Sequence, residues 1–126
     1  MPNNQAEFER AVMEGLYSSL GEFGEFVRLQ YSSATVAERW GSGAGFYTDF
    51  VVTEDSPALP TGANLGLNHY GALLKGVGDG HEIDGYSPVG CQLHFHDGKL
   101  ACLECYNYGG GWPENHYEFQ VLPIRN

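Results

Sequence analysis

Two histidines, His94 and His96, have the spacing in this chain that most directly suggests metal chemistry. They alternate with apolar residues as in a β-strand, so both imidazoles would lie on one face of a sheet, about 6.6 Å apart at the backbone. Imidazole nitrogens are ordinary zinc ligands. The pattern supplies no third ligand, and Lys99 is expected opposite His96, where its positive charge disfavours a bound cation. We therefore predict exposed histidines, with no metal and no cofactor.

Glu104 is a carboxylate in an unusual sequence position. Alternation along residues 91–106 predicts that it lies at the end of an apolar face, where burial without a partner would be costly. Arg39, near the end of a preceding strand, is the predicted ion-pair partner. The alternative is a general acid or base that works with a histidine or tyrosine in a pocket over the sheet. Because no second carboxylate or nucleophile can be placed beside Glu104, we favour the ion pair and assign no catalytic residue.

A glycine-rich segment carries the aromatic and acidic residues predicted to bind a partner, which are Tyr106, Tyr108, Trp112 and Glu114. Exposed aromatic side chains are frequent anchors of protein interfaces. The alternative is that these residues close the end of the hydrophobic core.

Charge narrows the class of partner. Six Lys and Arg against sixteen Asp and Glu give a formal net charge of −10, which repels the phosphates of nucleic acids and anionic lipid surfaces. A basic protein is the complementary partner, so the leading hypothesis is a non-catalytic, acidic protein-binding module. The alternative is that the charge only maintains solubility. The sequence leaves the oligomeric state open.

The elements that position these residues begin with a hairpin. Asp97 and Gly98, between two alternating segments, predict a two-residue type I′ turn. Pairing outward sets Phe95 opposite Leu100, and it sets Cys91 opposite Glu104. The predicted core face is Cys91, Leu93, Phe95, Leu100, Cys102, Glu104 and Tyr106, and the opposite face is Gln92, His94, His96, Lys99, Ala101, Leu103 and Cys105.

Periodicity predicts the other elements. An amphipathic helix is expected over residues 5–20, begun by a capping box between Asn4 and Glu7, and a short helix or turn leading into a strand over 22–31. The remaining segments are strands over 35–40, 45–52, 72–75 and 117–122, and loops over 41–44, 55–68 and 78–90. The predicted fold is α+β: an N-terminal helix, or two, packed on a mostly antiparallel sheet of about five to six strands, in a single domain over 1–126.

The compartment follows from the cysteines and from apolar patterning. Three cysteines leave at least one unpaired, which favours a reducing environment. The N-terminal residues do not have the pattern of a secretory signal, and no apolar run approaches the roughly 18 residues of a membrane span. We expect a cytoplasmic protein that does not insert into membranes.

Two ordered motifs resemble a known group of proteins. The first is the strand 43–50, Gly-Ala-Gly-Phe-Tyr-Thr-Asp-Phe, preceded by Val36-Ala37-Glu38-Arg39; the second is the hairpin 97–106 with its Asp-Gly-x-Leu-x-x-Leu-Glu-x-Tyr pattern, followed by Trp112-Pro113. They resemble small uncharacterised bacterial proteins, and the resemblance implies a bacterial, cytosolic helix-plus-sheet domain without an established activity. In size and acidity the chain is also similar to immunity proteins of bacterial toxin systems.

Overall fold

Two N-terminal helices precede an antiparallel sheet in the computed structural model, which describes residues 5–41, 43–60, 69–75, 86–107, 111–112 and 118–121, with the backbone alone for 69–75 and 86–87. The elements are α1 (Gln5–Ser19), α2 (Glu22–Ser33), β1 (Thr35–Gly41), β2 (Gly45–Val51), β3 (His69–Lys75), β4 (Tyr86–His96), β5 (Lys99–Asn107) and β6 (Phe119–Val121). The strand order is β1-β2-β5-β4-β3-β6. The predicted α+β class is confirmed.

Helix α1 packs an apolar stripe on the sheet. Phe8, Val12 and Leu16 recur every four residues and are fully buried, as the helical period predicts. The polar residues on the other side of this helix, Glu7, Arg10, Glu14 and Ser18, are exposed. The predicted cap residue Asn4 lies outside the described residues.

Helix α2 replaces the predicted transition into a strand. The alternation of Val27, Leu29 and Tyr31 suggested a strand, but Leu29 is exposed while Val27 and Gln30 face the core at helical spacing. Gly24 lies against α1 so closely that a Cβ atom there would collide with the Tyr17 carbonyl oxygen. The lack of a side chain at Gly24 therefore allows α2 to pack directly against the backbone of α1.

The hairpin turn forms as predicted. Asp97 and Gly98 have φ angles of 51° and 77°, as a type I′ turn requires. His96 pairs with Lys99, and Phe95 pairs with Leu100.

Beyond that point, a β-bulge changes the predicted register. His94 pairs with Cys102 instead of Ala101, so Ala101 is an extra residue in β5. Because side chains alternate between faces, one extra residue moves every later side chain of β5 to the other face. The predicted core positions of Cys102, Glu104 and Tyr106 are therefore wrong, and beyond the bulge the residues of β5 that enter the core are Leu103, Cys105 and Asn107.

Strand β4 begins earlier than predicted. Residues 86–90 were expected in a loop, but they pair with β3 on one side, and Val89 and Gly90 pair with β5 on the other. Backbone pairing with β3, joined at Val89 and Gly90 by pairing with β5, gives strand structure to a segment whose glycine and proline content predicts a loop. Residues 78–85 lie outside the described residues.

A buried glutamine joins α2 to the hairpin tip. The Gln30 Nε2 group donates to the carbonyl oxygens of Pro57 and Gly98 at 2.8 and 2.9 Å. Its Oε1 atom accepts a hydrogen bond from the Leu100 amide at 2.7 Å. All three polar groups of this side chain are thus satisfied in the core.

Among the described residues, no helix has the length and apolar character needed to cross a membrane.

Candidate functional site

An ion pair between a buried carboxylate and a partly exposed arginine lies on the inner face of the sheet. Arg39 donates to the Glu9 carboxylate from Nε at 2.6 Å and from Nη2 at 3.0 Å, and the Thr48 hydroxyl donates to it at 2.6 Å. The carboxylate raises the pKa of Arg39 through these hydrogen bonds and its charge. The predicted pair between Arg39 and Glu104 is therefore wrong. The bulge at Ala101 places Glu104 on the face opposite that of the arginine.

The face of the sheet turned away from the helices carries two neighbouring rows of polar and aromatic side chains. Directly opposed residues on adjacent antiparallel strands share a face. The first row is Trp40, Tyr47, Glu104 and Gln92, and the second is Glu38, Asp49, Cys102 and His94. We call these eight residues the outer face.

Glu104 is at the centre of a hydrogen-bond network on the outer face. Tyr47 donates its hydroxyl to Oε2 of Glu104 at 3.1 Å, and Nε2 of His94 lies 3.0 Å from Oε1. The hydrogen bond to the carboxylate raises the pKa of Tyr47. The side chains of Glu104 and His94 are 24% and 45% exposed, so solvent reaches both. The carboxylate is held in position by an uncharged hydroxyl and an imidazole, without a lysine or arginine among its described partners.

Two stacked aromatic rings lie beside this network. The rings of Trp40 and Tyr47 are parallel to within 12°, with centroids 4.0 Å apart. The indole Nε1 of Trp40 is 3.4 Å from Oδ2 of Asp49, a long hydrogen bond. Trp40 is on the edge strand β1 and is 44% exposed. An aromatic surface thus lies next to carboxylates at this side of the outer face.

Cys102 is not an activated nucleophile. Burial, followed by the hydrogen bond and negative charge of Asp49, raises the pKa of Cys102 to about 12. Only the thiolate is a strong nucleophile, and the surroundings of this thiol are acidic where a reactive cysteine has cations. The proximity of His94 in the same row therefore does not make a Cys–His catalytic pair.

The two histidines of the predicted strand are in different surroundings. His94 faces Glu104, whereas His96 is at the exposed hairpin tip, 3.3 Å from the Asp97 carboxylate. Within the described ranges, no group of three or more His, Cys, Asp or Glu side chains has the arrangement of a metal site.

The predicted partner-binding residues separate in the structure. Tyr106 is on the same side as the outer face, two residues beyond Glu104 and half-buried. Trp112 packs edge-on against Phe8 and Phe46, with ring centroids 5.4 and 5.0 Å apart. Trp112 therefore closes the end of the core, which is the alternative given for this segment. Tyr108 and Glu114 lie outside the described residues.

Sequence reasoning missed Trp40, Tyr47, Asp49 and Glu38 as site residues. Alternation along β2 places Tyr47 and Asp49 on the face of the sheet opposite to that of the buried Phe46. No signal within β2 indicates that Glu104 and Trp40 become its neighbours.

A shallow depression of about 460 Å³ lies near the hairpin tip, between Phe50 and Val52 of one segment and Lys99 and Leu100 of another. Glu104 is not among the residues that line it.

Comparison with protein-family models, curated proteins and solved structures found no match. The resemblance to small bacterial proteins and to immunity proteins therefore remains a prediction.

Proposed function

We propose that this chain is a non-catalytic binding protein that recognises a basic protein through the outer face, as an inhibitor or immunity protein does. The observation that carries the proposal is the arrangement of Glu38, Asp49 and Glu104 around the stacked rings of Trp40 and Tyr47.

The distribution of cationic side chains supports this proposal. Arg39 is turned to the inner face and bound to Glu9, and Arg28 pairs with Glu25 on α2. Lys99 donates to the carbonyl oxygens of residues 53 and 54. Among the described side chains, the outer face thus has carboxylates without a lysine or arginine to neutralise them. A basic partner supplies the missing charge.

The chemistry of the outer face suits lysine and arginine side chains in particular. Carboxylates form charge-assisted hydrogen bonds with guanidinium and ammonium groups. The faces of tryptophan and tyrosine rings attract cations, and both residue types are enriched among the residues that dominate binding energy. The formal net charge of −10 would increase the rate of encounter with a basic protein, and salt would reduce that rate.

Charge reversal at one position tests the proposal. Immobilised wild-type protein should capture a basic protein from a lysate of the source organism, identified by mass spectrometry. Glu38→Lys should weaken the affinity for the purified partner tenfold or more in calorimetry. Glu14→Lys is the matched control, because Glu14 is exposed on α1 and the variant changes the net charge equally; it should stay within threefold of wild type. Recovery of no basic partner, or equal losses in the two variants, would contradict the proposal.

A small enzyme or small-ligand-binding protein is the second candidate, favoured by the 3.0 Å contact between His94 and Glu104. A carboxylate that holds an imidazole in one orientation is a common element of general acid–base catalysis. Turnover of a small molecule that is lost in both Glu104→Gln and His94→Gln, with folding intact, would support this function in place of protein binding.

A further inference from the structure

We infer that the basic partner binds by adding an extended strand to the free edge of β1, an inference that rests on the proposed function. Strand β1 is at one end of the strand order and pairs only with β2 in the described sheet. A strand at the edge of a sheet has unpaired N–H and C=O groups that another chain can use.

A single hydrogen bond determines which backbone groups of β2 point toward β1. The Asn107 amide donates to the Ala44 carbonyl oxygen at 2.8 Å. In an antiparallel pair, every second residue of a strand directs its N–H and C=O groups at the same neighbouring strand. Phe46, two residues after Ala44, therefore directs its backbone groups at β5 as well. The intervening residues Tyr47 and Asp49 therefore bond to β1.

The free groups of β1 follow from this alternation. Trp40 and Glu38 lie opposite Tyr47 and Asp49, so their N–H and C=O groups are directed at β2. The alternate residues, Arg39 and Gly41, direct theirs away from the sheet. Two residues at this spacing offer two donors and two acceptors, which is the pattern that an added antiparallel strand needs.

The two edges of the described sheet differ in how they are protected. Strand β6 has three residues, and short edge strands are a common protection against unwanted pairing. Strand β1 has seven residues, contains neither lysine nor proline, and exposes Val36 and Trp40 by 40% and 44%. Its protective features are the register shift after Val36 and the charged residues Glu38 and Arg39, but residues 38–41 beyond the shift pair regularly with β2 and the charge of Arg39 is neutralised by Glu9.

This edge is also held in place before any partner arrives. The Arg39 side chain passes to the inner face and is bound there by the buried Glu9 carboxylate. Its backbone groups face outward from a strand that is thus fixed to α1 and β2. A preorganised edge loses less conformational freedom on binding than a mobile one.

Charge selects the occupant of the edge. The side chains of Glu38 and Trp40, on the outer face of β1, would be neighbours of alternate side chains in an added strand. Lysine or arginine at those alternate positions meets a carboxylate and an aromatic ring. A second copy of this chain, which also carries a formal net charge of −10, is repelled. The occupant that fits is an extended segment with alternating basic and apolar residues.

Gly41 gives a test confined to the backbone. Its φ angle is not positive, and a Cβ atom there would meet only the Gly45 carbonyl oxygen at 3.6 Å, an ordinary contact. Gly41→Pro removes the outward N–H, whereas Gly41→Ala keeps it, and Gly41 directs no backbone group at β2 for either substitution to remove. Circular dichroism and thermal unfolding check that both variants fold.

The probe is a capped heptapeptide of alternating lysine and valine, with glutamate in place of lysine in the control peptide. Wild type and Gly41→Ala should bind the lysine peptide within twofold of each other and the glutamate peptide at least tenfold more weakly. Gly41→Pro should bind the lysine peptide at least tenfold more weakly than Gly41→Ala. In wild type, the peptide should slow hydrogen exchange at the amides of Arg39 and Gly41.

Three results would overturn the inference: no binding of the lysine peptide, equal binding by the two Gly41 variants, or unchanged exchange at Arg39 and Gly41 when the peptide is bound. A dimer in sedimentation experiments that Gly41→Pro abolishes would assign the edge to a second copy and would also overturn it. If Glu38→Lys weakens the captured partner's binding while Gly41→Pro does not, the proposed function stands and strand addition fails.

Discussion

Glu9 and Glu104 are carboxylates on opposite sides of the same sheet, and each is held by side chains from other elements. Glu9 is buried and receives a guanidinium and a hydroxyl, so its charge is neutralised within the fold. Glu104 is partly exposed and contacts a hydroxyl and an imidazole. The comparison separates a carboxylate used for stability from one with capacity left for a partner's cation.

The largest effect is expected at the inner carboxylate. Glu9→Ala leaves the Arg39 guanidinium and the buried Thr48 hydroxyl without their acceptor. Breaking a fully buried ion pair costs about 3 to 5 kcal/mol, and because the Arg39 side chain is 31% exposed we expect a loss near the lower end, about 3 kcal/mol. Urea unfolding measures the loss. Glu14→Ala, an exposed position on the same helix, should change the free energy of unfolding by less than about 0.5 kcal/mol. A loss below about 1 kcal/mol for Glu9→Ala would mean that the ion pair contributes little.

Two tryptophans extend the comparison to the aromatic residues. Trp112→Ala removes a ring packed against Phe8 and Phe46, so we expect a loss of about 2 to 3 kcal/mol in the free energy of unfolding. Trp40→Ala removes an exposed ring and should cost less than about 1 kcal/mol, while it weakens binding to a basic partner. Chemical denaturation and calorimetry measure the two quantities. A larger loss in the free energy of unfolding for Trp40→Ala than for Trp112→Ala would contradict the assignment of Trp112 to the core and of Trp40 to the outer face.

Alkaline pH tests the acidic surroundings of the outer face. The pKa of Cys102 is about 12 in the folded chain against the ordinary thiol value of 9.0, so between these values the unfolded chain has lost a proton that the folded chain keeps. The free energy of unfolding should therefore fall as pH rises from 9 to 12.

The slope contributed by Cys102 should be below about 1.4 kcal/mol per pH unit, since solvent screens a half-buried group. Cys102→Ala should flatten the profile. Some slope should remain, because burial also raises the pKa values of Tyr31 and Cys105. If the free energy of unfolding of wild type and Cys102→Ala depended on pH identically between pH 9 and 12, the raised pKa of Cys102 would be refuted.

The smallest effect is expected at His94. Its contact with Glu104 is exposed to solvent, and exposed pairs of this kind contribute little. His94→Gln should change the free energy of unfolding by less than about 0.5 kcal/mol at neutral pH in urea titrations. A change above about 2 kcal/mol would place the outer network among the elements that stabilise the fold.

Local patterns were sufficient for much of this structure. The spacing of Phe8, Val12 and Leu16 predicts α1, and Asp97-Gly98 predicts the hairpin tip, because each depends on residues close in sequence. The alternation in β2 is also local, and it correctly separates the inner residues from the outer ones.

The site depended on information that is not local. Residues 100–103 are an apolar run, Leu-Ala-Cys-Leu, in which side chains of both faces are apolar, so the sequence does not locate the extra residue that turns Glu104 away from Arg39. A bulge depends on the pairing of two strands and on how the sheet packs against the helices. The same limitation applies to residues 86–90, which take strand conformation from their neighbours β3 and β5.

The hydrogen bonds of Gln30 link helix α2 to the hairpin and should make these two elements unfold together. The amide of Gln30 bonds α2 to Pro57, to the turn residue Gly98 and to Leu100 in β5. Opening the tip therefore leaves a buried amide without partners, which discourages partial unfolding. In native-state hydrogen exchange, the Leu100 amide should exchange only in the same opening event that releases α2, so that helix and hairpin form one unfolding unit although 70 residues separate them along the chain.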